Sequence, residues 1–137
     1  MPKVWYENPP GTAPAQGLYS HIGTSTGGRL VFVAGQLSVN AKDEVVGVGD
    51  FEAQFAQVFR NLGDVLKGIG CDFNSVVKFS TLFVHSQDIP TFMRLRKELF
   101  PKIFKGPLYP PNTILVIDRL VKEQFLLEVE AIAAVEA

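Results

Sequence analysis

The hydrophobic positions change period along the chain. Between residues 51 and 69, Phe51, Phe55, Val58, Phe59, Leu62, Val65, Leu66 and Ile69 recur at spacings of three and four, which draws one stripe along a helix of about five turns. Asp50 is a natural N-cap for it and Gly70 a natural C′ residue. Residues 123–134 alternate instead. Phe125, Leu127, Val129, Ala131 and Ala133 fall on one side, the period-two pattern of a strand with one buried face. Val76–His85 and Thr113–Leu120 are β-branched and apolar runs that predict two further strands. Phe92, Leu95, Leu99 and Ile103 predict the apolar face of a second helix, capped by Asp88 and carrying Pro90 in its first turn. Upstream, Tyr19–Thr24 and Leu30–Ala34 predict strands joined by a hairpin turn at Gly27-Gly28, and Lys3–Tyr6 a short edge strand. Residues 7–17, with three Pro and two Gly, predict an irregular lead-in, and Gln36–Asp50 a loop with a weak strand at Val45-Val46. Gly106, Pro107, Pro110 and Pro111 break the chain before the penultimate strand.

The resulting order, β-β-α-β-α-β-β, predicts an α+β domain of two layers over residues 1–137, with both helices on one face of a mixed sheet. Composition narrows the function classes. The chain is 47% apolar and 20% charged, which excludes a disordered or tail-like protein. Thirteen Lys and Arg against fourteen Asp and Glu leave a net charge of −1, a poor start for a nucleic-acid binder. One Cys excludes an intramolecular disulfide, and two His with one Cys argue against a zinc site. Eleven Phe and a mean hydropathy of +0.16 are high for a small monomer and suggest apolar surface buried between subunits. No apolar segment follows Lys3 as a secretory signal would, and no apolar run, Ile114 to Ile117 included, approaches the roughly 20 residues of a membrane helix. A cytoplasmic setting with Cys71 reduced is the expectation.

Few residues carry chemistry by pattern alone. Glu128 and Glu130 share a face of the last strand with Leu126 and Ile132. They are either two solvated glutamates or a general acid/base whose pKa is raised by burial. His21 and His85 are tied to no metal-binding spacing, and Cys71 follows a helix C-terminus, where the dipole disfavours a thiolate. Gly47-Val48-Gly49 lacks the third glycine of a dinucleotide fingerprint. Arg94, Arg96, Lys97, Lys102 and Lys105 make the second helix basic. That is a solvated face or, alternatively, a patch attracting an anionic substrate or RNA; no aromatic interleaving supports the RNA version.

Six stretches together resemble one family. They are Ala15-Gln16-Gly17-Leu18-Tyr19-Ser20, Val33-Ala34-Gly35-Gln36-Leu37, Gln57-Val58-Phe59-Arg60-Asn61-Leu62, Val76-Val77-Lys78, Asp88-Ile89-Pro90-Thr91-Phe92 and Leu127-Glu128-Val129-Glu130-Ala131-Ile132-Ala133. From about residue 12 onward their order and spacing are similar to those of the reactive intermediate deaminases, the RidA or YjgF family, also labelled endoribonuclease L-PSP. The resemblance implies a chorismate-mutase-like fold, a homotrimer whose sheets form a central barrel, and clefts between subunits. There a small imine or enamine such as 2-aminoacrylate is hydrolysed without a metal or organic cofactor.

Carried over residue by residue, the resemblance makes Glu128 the carboxylate that orients or activates water. Tyr19 becomes a substrate hydrogen-bonding group, Ala34-Gly35 a small pair allowing close backbone approach, and Phe92 an apolar wall. One position departs. The family's arginine, which grips the substrate carboxylate, is followed by Ser or Ala; the corresponding residues here are Asn112-Thr113, with Ile114 next in the strand. Asn cannot form the charge-assisted fork that Arg makes. Hydrogen bonds to charged groups contribute roughly 1.5–3 kcal/mol against about 0.5–1.5 for neutral ones, so 2-aminoacrylate should bind about tenfold or more weakly. Arg96 stands where the family carries a small polar residue near the cleft. A solvent-facing side chain is the ordinary expectation for it, a replacement cation the alternative. The expected function is therefore cofactor-free hydrolysis of a small imine, enamine or related metabolite, with a non-catalytic metabolite-binding trimer as the alternative and a ribonuclease as the weaker third.

Overall fold

The computed structural model describes residues 2–137. Its strands and helices are β1 (Val4–Glu7), β2 (Ile22–Ser25), β3 (Arg29–Gln36), α1 (Phe51–Gly68), β4 (Val76–Phe83), α2 (Ile89–Ile103), β5 (Asn112–Val116) and β6 (Leu127–Val135). The main sheet has the order β3-β6-β4-β5, antiparallel except for the parallel pair β4·β5. Both helices lie on one face of it, as the apolar stripes require.

That face is the core. From β6 come Leu127, Val129, Ala131 and Ala133, and from β4 Phe79 and Phe83; all are buried against Phe55, Val58, Phe59 and Leu62 of α1 and Phe92 and Phe100 of α2. The aromatic rings lock edge to face: Phe83 meets Phe92 with centroids 5.3 Å apart at 87°, and Phe59 meets Phe100 at 5.7 Å and 73°, the arrangement the ring quadrupole favours. Helix α1 begins where Asp50 Oδ1 accepts the Ala53 N–H at 3.1 Å, and Gly70 follows it at φ +79°.

Three expectations are corrected. The Gly27-Gly28 turn does not close a hairpin: β2 pairs with β1, and β3 leaves to pair with β6. Gly27 and Gly28 both have positive φ, and a Cβ at Gly28 would strike the Val135 carbonyl, so the turn serves a hand-over between sheets. Asp88 does not cap α2 through its side chain; it closes a 3-10 turn at Ser86–Asp88 that runs directly into the helix. The buried stripe of α2 is Phe92, Arg96 and Phe100, with Leu95, Leu99 and Ile103 only partly covered.

The other face of the sheet is open. Strand pairing places Leu30 and Phe32 of β3, Glu128, Glu130 and Ile132 of β6, Lys78, Ser80 and Leu82 of β4, and Thr113 and Leu115 of β5 on that side. Phe32 is 72% exposed and Leu30 53%.

Candidate functional site

The chain around Glu128 is fixed on two sides. Ahead of it, Gln54 of α1 is fully buried. Its side chain donates to the Gly47 and Gln124 carbonyls at 3.0 and 2.8 Å, while its Oε1 accepts the Leu126 N–H at 2.8 Å. The sequence reading missed this residue; a Gln within the apolar stripe region of α1 was the available signal. Beside Glu128, the β3 register shifts between Val33 and Gln36, an irregularity that contains Ala34 and Gly35. A Cβ at Gly35 would collide with the Glu128 carboxylate, so the backbone approaches the acid as only glycine permits. Glu128 is half-buried, and among the described residues no hydrogen bond reaches its carboxylate. Burial, with a smaller contribution from the Glu130 charge, pushes its pKa above the usual carboxylate value.

Arg96 forms a second group. The sequence led us to expect it in solvent, and the structure corrects this: it is 1% exposed. Its guanidinium carbon lies 5.2 Å from the Phe92 ring centre and 6.0 Å from those of Tyr19 and Phe100. Burial lowers its pKa to about 10, which leaves it a cation at neutral pH. Tyr19 Oη accepts the Gln16 N–H at 3.1 Å, which shapes the Gln16–Tyr19 turn over Arg96. Phe92, expected as an apolar wall for substrate, is a core residue wedged between Phe55 and Phe83.

Asn112 belongs to a third. Its Oδ1 accepts the Thr81 hydroxyl at 2.7 Å, on the helix-covered side where Thr81 is buried. Glu128 pairs with Leu82 on the open side, and Asn112 with Phe79 three residues along β4, about 10 Å at strand rise. Within one chain, therefore, the two residues do not converge. Thr113 is exposed on the open side opposite Ser80, and Ile114 is half-buried opposite Thr81.

The basic face of α2 is also less than its sequence suggested. Arg94 is engaged by Glu52 at 2.8 Å and Glu98 at 3.5 Å, and Arg96 is buried, which leaves Lys97, Lys102 and Lys105 exposed. Among the described residues no three His, Cys, Asp or Glu side chains are grouped to hold a metal, and no helix is long and apolar enough to cross a membrane.

The endoribonuclease L-PSP family model matches residues 10–135. The chain belongs to this family. Within it, the chain is 30% identical over 105 residues to the 2-iminobutanoate/2-iminopropanoate deaminase of Mus musculus, covering 77% of this chain and 73% of that one. It is 31% identical over 106 residues to a RutC family protein of Pyrococcus horikoshii, covering 77% and 79%. Among solved structures, YyfB of the conserved Rid family from Yersinia pestis superposes with a TM-score of 0.86 at 27% identity, over 97% of this chain and 99% of that one. The Escherichia coli YjgF product superposes at 0.69 and 26% identity, over 88% and 90%. The family fold expected from the six stretches is thus the fold observed.

Proposed function

We propose that the protein hydrolyses a small imine or enamine to a carbonyl compound and ammonia, with Glu128 as its acid/base. The observation carrying this reading is the half-buried Glu128 carboxylate, lifted in pKa and packed on Gly35, in a chain whose relatives include a 2-iminobutanoate/2-iminopropanoate deaminase. A carboxylate whose pKa moves toward the working pH serves better both as base and as acid.

As the water oxygen bonds to the imine carbon, its proton passes through Glu128 to the imine nitrogen and gives a carbinolamine. In the second half, the hydroxyl proton returns to Glu128, the carbonyl forms, the C–N bond breaks, and the departing nitrogen takes that proton to leave as ammonia. Glu128 ends as it began, and no other reactant is needed. Tyr19 offers its phenol to the polar part of the substrate, and Ala34-Gly35 lets the substrate lie close to the backbone.

The exposed Phe32 and Leu30 side chains support assembly through the open sheet face, as the family's homotrimer would use it. In that assembly the cleft lies between subunits, and groups that sit apart in one chain, such as Glu128 and Asn112, can come from different copies. Asn112 lacks the charge to hold a carboxylate and is committed to Thr81, so 2-aminoacrylate is not the preferred substrate. The same commitment favours one second reading, a trimer that binds a metabolite without converting it. An oxidase-generated panel of imines, read by ammonia release, tests the proposal. Glu128→Gln should lower turnover by about 100- to 10,000-fold with the circular dichroism spectrum unchanged. Equal turnover in the variant refutes the role of Glu128.

A further inference from the structure

Helix α1 carries three amides, Gln54, Gln57 and Asn61, whose spacings of three and four put them in one row. Gln54 is fully buried and Gln57 nearly so. A buried amide costs stability unless its hydrogen bonds are made. Here they are made to the chain on either side of Glu128. Gln54 Oε1 accepts the Leu126 N–H at 2.8 Å, and its Nε2 donates to the Gln124 and Gly47 carbonyls. Asn61 Nδ2 donates to the Leu37 and Val39 carbonyls at 2.8 and 2.9 Å. Gln57 Nε2 donates to Asn61 Oδ1 at 2.8 Å, which turns the other end of that amide toward the two carbonyls.

Leu126 lies two residues before Glu128, and Leu37 two residues after Gly35. The ladder between β3 and β6 ends here. Its last pair is Gln36 with Val129, and an antiparallel continuation would set Leu37 opposite Glu128 and Val39 opposite Leu126. Among the described residues the two segments do not pair in that way; Glu128 pairs with Leu82 of β4. The α1 amides take up backbone groups that lie beyond the end of the ladder. The approach of Gly35 to the Glu128 carboxylate, too close for a Cβ, thus lies between two attachments to one helix.

We propose that Gln54 and Asn61 are positioning residues: from one rigid helix they fix the entry of β6 and the exit of β3, and so hold the Glu128 carboxylate against the Gly35 backbone, half out of water. The use of that position rests on the imine-hydrolase reading, in which a displacement of about 1 Å can cost about 100-fold in rate. Burial is the main cause of the raised Glu128 pKa, with Glu130 adding to it. Lys78 of β4 is the other charged side chain on that face. Releasing either segment lets water reach the carboxylate, so its pKa should fall toward the ordinary carboxylate value.

The test compares Gln54→Met and Asn61→Ala with the wild type and with Phe104→Leu, a core change among Phe73, Phe79 and Phe100 that serves as the control for lost stability. Two quantities are read below each melting temperature: turnover on the imine panel, and an NMR titration of the Glu128 side-chain carboxyl, which needs no turnover. Each amide variant should lose about 10- to 100-fold in kcat with KM little changed, and its Glu128 pKa should fall. Phe104→Leu should keep both at the wild-type values. Where Gln54→Met does not fold, Gln57→Leu carries the same expectations at smaller amplitude, because it only frees the Asn61 amide to turn. A Glu128 titration that does not fall in the folded variants overturns the proposal. So does a loss of kcat no larger than that of Phe104→Leu. A wild type without turnover on the panel, together with a titration that falls as expected, sinks the hydrolase reading and supports the positioning role.

Discussion

The two faces of the four-stranded sheet are made by the same strands and differ in almost everything else. On the helix side, Leu127, Val129, Ala131 and Ala133 of β6 meet Phe79 and Phe83 of β4, and each is buried under α1 and α2. On the other side the same two strands show Glu128, Glu130, Lys78 and Ser80, with exposed Phe32 and Leu30 alongside on β3. The covered face is finished within one chain. The open face is neither a solvated surface nor a core, because it mixes exposed apolar side chains with a carboxylate already half out of water. The difference teaches that one face specifies the fold, while the other is the face the proposed assembly and chemistry would use.

The sharpest way to break this division is to damage the finished side. Phe83 is fully buried and stacks on Phe51 at 5.8 Å and edge-on to Phe92. Phe83→Ala should cost about 3–5 kcal/mol of unfolding free energy, measured by denaturant titration. A loss below about 1 kcal/mol would mean that this face is not what holds the chain together.

On the open side the expected change is in assembly. Phe32→Asp places a charge where the reading has neighbouring copies pack. It should reduce association by about 100-fold or more, as burying an unpaired charge demands, while the far-ultraviolet circular dichroism stays native. Sedimentation velocity checks this, and an unchanged oligomer would remove the open face from the interface. Asn112 sharpens the contrast from the covered side. Asn112→Ala leaves the buried Thr81 hydroxyl without its acceptor and should cost about 1–3 kcal/mol. A neutral result in stability with a changed substrate profile would return Asn112 to the cleft.

The division also explains what was legible in the sequence. The covered face announces itself through period: the three-and-four spacing of Phe51 to Leu66 and the alternation of Phe125 to Ala133 are local signals of burial. The place of Glu128 among apolar neighbours marked it as a candidate without choosing between a solvated and a buried acid, and its expected role came from the family resemblance alone. The pairing of β2 with β1 was not, because sheet partners lie far apart in sequence and Gly27-Gly28 reads equally as a hairpin turn. The burial of Arg96 had a signal that went unused. Phe92, Arg96 and Phe100 form their own row at spacing four, but a charged residue within an apolar row reads as surface until Tyr19, from a distant turn, is seen to cover it.

The smallest effect separates the faces by pH. Burial raises the folded-state pKa of Glu128 above its unfolded value. Between the two values the folded state binds more protons than the unfolded state, so unfolding free energy falls as pH rises through that window. The contribution of Glu128 is thus fully present below the ordinary carboxylate pKa and is lost as pH passes the raised one. Glu128→Gln cannot ionise, so it should gain on the wild type as pH climbs from about 4 to neutrality, then hold a constant lead. Solvent at the half-exposed side chain keeps that gain under about 1 kcal/mol, within reach of urea titrations at matched pH. A gain of the opposite sign would mean the ionised carboxylate is stabilised by a partner, most simply one brought by a neighbouring copy. The raised pKa on which the acid/base reading of Glu128 rests would then be lost in the assembly.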